Sequence, residues 1–197
     1  MKKTETISLS DKVRAVALEG LKYAKDPYDI ARYETLLDYS VQEFANALDL
    51  DFDRLKEDFK KELGCVTPKL GVDGLVYNTQ KAILIVERVD GTGWCLPCGW
   101  VDVGETPFEA IIREIKEETF LTVRALECIS ISTKGPTKTQ NIQHQVNMLI
   151  ATEVIGGSNI KLSHEHLNYK WISSTDNIEW HSNHQEQAEK ALVWIKK

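Results

Sequence analysis

The sequence predicts an α/β fold: a mixed sheet carrying helices, preceded by a small helical domain. Three observations predict it. Apolar residues recur at helical spacing through residues 1–64 and stop at Gly64. From Thr67 onward they fall instead in short runs parted by turn residues, as strands do. Among those runs lies one helix crowded with carboxylates, and a second helix closes the chain. The helical domain is therefore placed over residues 1–64 and the α/β domain over 65–197.

The chain of 197 residues suffices for one domain of ordinary size and a small appendage, and 42% apolar residues supply a buried core. The formal net charge is −6, with no long basic run to neutralise a phosphate backbone, which excludes a dedicated nucleic-acid binder. The opening MKKTETISLSDK lacks the apolar core of a secretory signal. The longest aliphatic run, Ala82 to Val86, is far too short to span a membrane. A cytoplasmic protein without a membrane partner is expected.

Taken in order, Leu9, Ser10 and Asp11 cap a first helix that runs to about Tyr23, with Val13, Val16, Ala17 and Leu21 at core spacing. Lys25, Asp26 and Pro27 break it. A second helix from about Asp29 to Ala47 carries Ile30, Tyr33, Leu36, Leu37, Val41, Phe44 and Leu48 on one side, and a third from about Asp51 to Leu63 carries Leu55, Phe59 and Leu63. Strands follow over Leu70 to Tyr77 and Lys81 to Arg88, joined at Asn78, Thr79 and Gln80 in a hairpin-type connection. Residues 90–93 turn the chain, and Trp94 to Pro97 is a short extended piece. Further strands are expected within Thr122 to Thr133, Gln143 to Val154 and Tyr169 to Ile172, and a last helix from about His184 buries Ala188, Ala191, Leu192 and Ile195.

The central stretch is GWVDVGETPFEAIIREIKEETFL, from Gly99 to Leu121. Thr106 is placed as N-cap, Pro107 suits the first helical position, and Glu109 completes a capping box. Phe108, Ile111, Ile112 and Ile115 form one apolar face. Glu114, Glu117 and Glu118 fall within an arc of roughly 100° beside it, so burial of the isoleucines gathers three carboxylates at the edge of the contact. Like charges at i, i+4 cost a helix about 0.2–0.5 kcal/mol per pair, and Arg113 offsets part of this by pairing with Glu117. Clustered carboxylate oxygens are hard ligands suited to Mg²⁺ or Mn²⁺; a solvated acidic helix face is the alternative for three glutamates taken alone.

Gly99, Glu105, Arg113-Glu114 and Glu117-Glu118 match the pattern G-x5-E-x7-R-E-U-x-E-E-x-G-U, where U is aliphatic and is filled by Ile115 and Leu121. On these residues the chain resembles the Nudix hydrolases. The stretch GLKYAKDPYDIARYE, from Gly20 to Glu34, is similar to the N-terminal segment of a subgroup acting on X-linked nucleoside diphosphates, including CDP-choline pyrophosphatase and ADP-ribose pyrophosphatase-like enzymes. The resemblance implies a Nudix α/β/α sandwich with a mixed sheet and a helical segment that helps to make a homodimer. It implies metal-dependent cleavage of the pyrophosphate bond in a nucleoside diphosphate linked to another small molecule. Glu114, Glu117 and Glu118 would be ligands of Mg²⁺ or Mn²⁺, joined by the backbone carbonyl of Cys98, with Arg113 and Glu105 orienting them.

Two positions depart from the pattern. Phe120 stands where the pattern has glycine; a glycine there usually supplies a left-handed C-cap, so this helix is expected to end differently. Cys98 replaces the glycine common just before Gly99.

The remaining candidates are single residues. Glu165, between His164 and His166, is a candidate base or further metal ligand, and either it or Glu105 positions or deprotonates the water. Trp100 and residues 134–143 are candidate substrate contacts. Tyr28 and Tyr33 either stack on a nucleobase or pack in a core or interface, and His144 touches substrate or makes a structural contact. His181 and His184 read as cap or surface residues beside the last helix.

The four cysteines, Cys65, Cys95, Cys98 and Cys128, do not suggest a disulfide scaffold. Cys95 and Cys98 form a C-x-x-C, but it does not open a helix as a redox motif does. A zinc reading needs two more ligands, and His164 and His166 lie far away in sequence. Rival functions are a nucleoside triphosphate pyrophosphohydrolase, a non-catalytic nucleotide sensor of the same fold, and a pure interaction module.

Overall fold

A computed structural model describes residues 3–64, 66–136, 143–157 and 159–197. The chain forms two compact units. One holds Met1–Lys69 with Lys134–Gln145; the other holds Leu70–Thr133 with Val146–Lys197. Cys65 and residues 137–142 of the proposed substrate loop lie outside the described residues.

The first unit contains α1 (Lys3–Tyr23), α2 (Pro27–Leu48) and α3 (Phe52–Lys60). Asp26 caps α2 by accepting the N–H groups of Tyr28 and Asp29, with Pro27 at the first helical position, and Asp51 caps α3 by accepting that of Arg54. The first helix starts well before the expected cap at Ser10. Ser10 lies inside it, its hydroxyl donating to the Thr6 carbonyl at 2.9 Å and its own carbonyl accepting from Ser40 Oγ.

The buried face of α1 also matches the one that apolar spacing selected only in part, sharing Ala17 and the core-packed Leu21. Ile7, Ser10, Arg14, Ala17 and Leu18 are buried, whereas Val16 is 58% exposed. The buried Arg14 explains the shift. Its guanidinium sits 4.2 Å from the Phe59 ring centroid and pairs with Asp11 at 2.7 Å and Glu62 at 3.3 Å. Within the same unit His144 Nδ1 meets Asp11, and Gln143 meets Glu62. In α2 the core positions are Leu37, Val41, Phe44, Ala45 and Leu48, while Ile30 and Leu36 lie outward, as does Leu63 beyond α3.

The second unit contains two sheets. The strands β1 (Lys69–Leu75), β4 (Cys98–Trp100), β5 (Thr122–Lys134) and β6 (Gln145–Gly156) form one in the order β4-β1-β6-β5; β2 (Ile83–Arg88), β3 (Trp94–Cys95) and β7 (His166–Ile172) form the other in the order β3-β2-β7. The expected β1–β2 hairpin is closed only locally, by the Tyr77–Ile83 bridge and the Leu84 N–H to Val76 carbonyl bond, after which the two strands enter different sheets. The helix α4 (Pro107–Thr119) packs Ala110, Ile111 and Ile115 with Val72, Val76, Leu84 and Ile150. The helix α5 (His184–Ile195) packs Ala188, Ala191 and Ile195 with Leu75, Ile83, Ile85 and Leu149. Phe108, expected on the apolar face of α4, is 37% exposed at its edge. This is the α/β fold with a mixed sheet and a helical N-terminal segment that the sequence predicts. Among the described residues no helix is long and apolar enough to cross a membrane.

Candidate functional site

The site is built on α4 and the strand facing it. Thr106 Oγ1 accepts the Glu109 N–H and the Glu109 carboxylate takes the Thr106 N–H, so the capping box fixes where the helix begins. Gly74 and Gly99 let the sheet approach closely. A Cβ on Gly74 would lie 2.8–2.9 Å from Ile115 and Ile111, and one on Gly99 would lie 1.9 Å from the Glu114 carboxylate. Only glycine at position 99 leaves room for that carboxylate against β4.

The three glutamates descend in exposure. The Glu117 side chain is 60% exposed, Glu114 15% and Glu118 5%. Glu118 Oε2 accepts the Cys98 N–H at 3.2 Å, and its Oε1 faces His166 Nε2 at 3.8 Å. Burial, with the Cys98 thiol and Glu114 nearby, pushes the Glu118 pKa well above the usual carboxylate range. Burial raises Glu114 as well, opposed by Arg113 and reinforced by Glu117 and Glu165.

Arg113 joins the group. Its Nε and Nη2 hold both oxygens of Glu105 at 2.8 and 2.9 Å, Nη1 reaches Glu114 at 2.8 Å and Glu117 at 3.2 Å, and Nη2 also donates to the Trp100 carbonyl at 3.0 Å. The Arg113 bond holds Glu105 below its ordinary pKa. Glu105 is therefore an ionised brace whose two oxygens are already taken. Glu165 is exposed, and its charge reaches Glu114, Glu118 and His166. The N–H groups of Lys161 and Ser163 donate to the Thr119 and Glu118 carbonyls and carry the Glu165 segment to this helix end.

The structure thus brings Cys98, Trp100, Glu105, Arg113, Glu114, Glu117, Glu118 and Glu165 together in the second unit. Tyr28, Tyr33 and His144 belong to the first. Tyr28 is 75% exposed; the Tyr33 ring occupies the space over Gly20, 2.3 Å from where a Cβ would sit; and His144 is held by Asp11.

Two expectations are corrected. The helix does end in the left-handed conformation, with Phe120 at φ 60°, ψ 7° and its N–H on the Lys116 carbonyl. Lys116 Nζ fastens the turn, donating to the Phe120 carbonyl at 3.0 Å and Thr122 Oγ1 at 3.3 Å. His184 is not a surface residue. It is buried, and its Nδ1 accepts the Leu96 N–H at 3.3 Å.

His166 was weighed as a zinc ligand and set aside for its distance in sequence, and no place in this site was expected of it. It is buried, and neither ring nitrogen has a hydrogen-bond partner among the described residues. Its place as first residue of β7 was the available signal, obscured because that strand was expected to start at Tyr169.

The residues fit a divalent cation. Three carboxylates converge with one arginine between them, the deepest meets a backbone N–H and a distant imidazole, and the donor atoms are hard oxygens.

Comparison with known proteins agrees with this geometry. The NUDIX domain matches residues 67–195, and the UDP-X-like N-terminal oligomerisation domain matches residues 5–59. The chain is 34% identical over 116 residues to a putative ADP-ribose pyrophosphatase, YjhB, of Bacillus subtilis, covering 59% of this chain and 55% of that protein. It is 33% identical over 104 residues to an ADP-ribose pyrophosphatase of Methanocaldococcus jannaschii, covering 52% and 60%. The chain thus spans little more than half the length of these curated relatives. A crystal structure of a UDP-X diphosphatase superposes with a TM-score of 0.57 at 23% identity, over 100% of this chain and 96% of that one.

Proposed function

Because this chain belongs to the NUDIX family, we propose that it hydrolyses the pyrophosphate bond of a nucleoside diphosphate linked to another moiety, releasing a nucleoside monophosphate. The observation that carries this reading is the graded set of Glu114, Glu117 and Glu118 packed against Gly99. The match of residues 5–59 to a UDP-X-like segment supports a substrate of the CDP-choline, ADP-ribose or nucleotide-sugar type over a nucleoside triphosphate. The same match supports a homodimer, which light scattering on the purified chain tests; a monomer at all concentrations would refute it.

Glu114, Glu117 and Glu118, with the Cys98 carbonyl, would hold Mg²⁺ or Mn²⁺. When bound, the ions neutralise the diphosphate and make water acidic enough to react near neutral pH. The protein's own part is positioning. Arg113 keeps Glu114 and Glu117 in place, and Glu105 fixes Arg113. Glu105 is a poor base because both its oxygens are engaged and its pKa is lowered. We assign proton removal from water to Glu165, whose exposed carboxylate lies within electrostatic reach of Glu114 and Glu118. The exposed Trp100 side chain offers a face to the substrate.

The test is a hydrolysis panel with Mg²⁺ and Mn²⁺, containing CDP-choline, ADP-ribose, nucleotide sugars and nucleoside triphosphates, run beside Glu118→Gln. Metal-dependent release of a nucleoside monophosphate from a diphosphate-linked substrate, lost in the variant, is expected. Silence from folded protein that still binds nucleotide would point instead to a sensor.

A further inference from the structure

We propose that the second unit carries another metal site, for a thiophilic divalent cation such as Zn²⁺, formed by Asp73, Cys98 and His184. It lies on the sheet face opposite the carboxylate helix. The alternation of β1 and β4 places it there. Val72, Gly74 and Gly99 face α4, where a Cβ on either glycine would strike Ile111, Ile115 or Glu114. Side chains alternate along a strand, so Asp73 and Cys98, paired across β1 and β4, face the other way with Leu75, which packs on α5. There they meet His184, the first residue of α5.

One donor atom from each residue lies within 4.8 Å of the other two. Cys98 Sγ is 4.0 Å from His184 Nε2, and Asp73 Oδ1 is 3.9 Å from His184 Nδ1. Around tetrahedral Zn²⁺ the ligand bonds of about 2.0–2.3 Å put neighbouring donors about 3.3–3.8 Å apart. With one donor from each residue inside 4.8 Å, the three groups need to close by up to about 1.5 Å.

Sulfur, imidazole and one carboxylate make a softer set than the all-oxygen site behind it, and this selects zinc-like ions over Mg²⁺. Asp73 and His184 are buried and Cys98 is half-buried, so β1, β4 and α5 supply a built pocket rather than a surface cluster. Cys95 lies outside this set; its thiol is 3.8 Å from the Val86 carbonyl and also within hydrogen-bond reach of the Cys98 thiol. On binding, Cys98 releases its thiol proton, and neutral His184 supplies the Nδ1 lone pair by giving up the Leu96 N–H, its Nε2 keeping the ring proton.

The test needs no turnover, so its failure is separate from failure of the proposed reaction. The chelator-stripped, reduced chain of 197 residues is titrated with Co²⁺ in excess Mg²⁺, which fills the carboxylates. One Co²⁺ per chain should bind with a near-ultraviolet thiolate-to-cobalt absorption, which Zn²⁺ then bleaches. Cys98→Ala should abolish the absorption, and His184→Gln should weaken binding at least about tenfold. Cys95→Ala and Glu117→Gln should leave both unchanged, with circular dichroism confirming the fold of each variant. No thiolate absorption from folded protein would overturn the proposal. So would an absorption indifferent to His184→Gln, or one lost in Cys95→Ala, which would mean a simple pair of thiols.

Discussion

Glu118 is a carboxylate held nearly out of water with one backbone N–H as its hydrogen-bond donor. Its folded pKa is raised, so between the ordinary glutamate value and that raised value the native state binds more protons than the unfolded state. Stability from this group is fully present below the ordinary value and is lost as pH rises through the raised one. Without metal, melting between about pH 5 and about pH 8 should therefore show a downward contribution that Glu118→Gln removes. Mg²⁺ should raise the melting temperature more at the higher pH, where the carboxylate is charged; equal shifts at both would contradict this. The same variant should lose at least about 100-fold in kcat, about 2.7 kcal/mol of transition-state stabilisation, with its fold intact. Gly99→Ala should resemble it in turnover, because the added Cβ would overlap the Glu114 carboxylate, the movable end of a flexible side chain. At this scale the sequence pattern named the carboxylates and the arginine. It did not show His166 or His184, whose roles depend on where distant strands bring them.

The helix α4 illustrates what local signals determine. Its cap, first-turn proline and capping box are all sequence neighbours, and each forms. Its far end was misread because Phe120 was judged alone, without the Lys116 side chain that fastens the turn. A non-glycine residue in this left-handed position costs about 1 kcal/mol. Phe120→Gly should recover up to that amount and raise the melting temperature by about 2–4 °C; a lower melting temperature would show that the aromatic ring itself contributes to packing. The helix α1 illustrates the opposite case. Counting apolar residues chose Val16, but the side that buries is centred on Arg14, because two carboxylates and an aromatic ring accept the charge there. Arg14→Met retains volume but leaves Asp11 with His144 and Glu62 with Gln143, and no buried cation between them. A thermal melt should show it less stable by about 3–5 kcal/mol if the arginine offsets both charges, and near-neutral if it does not.

Across the whole molecule, the change in hydrophobic period near residue 65 made the division into helical and α/β parts legible. The return of Lys134–Gln145 to the first unit was not legible, because the side-chain contacts of Gln143 and His144 are polar and reach residues distant in sequence. That return has a consequence for dissection. The polypeptide passes between the units three times, so no single cut separates them. A fragment beginning at Leu70 still contains Gln143 and His144 but has lost Glu62 and Asp11. A fragment ending at Lys69 keeps the two acids and Arg14 without the side chains that close around them. The helical unit is thus discontinuous in sequence, finished by a segment that lies between two stretches of the other unit.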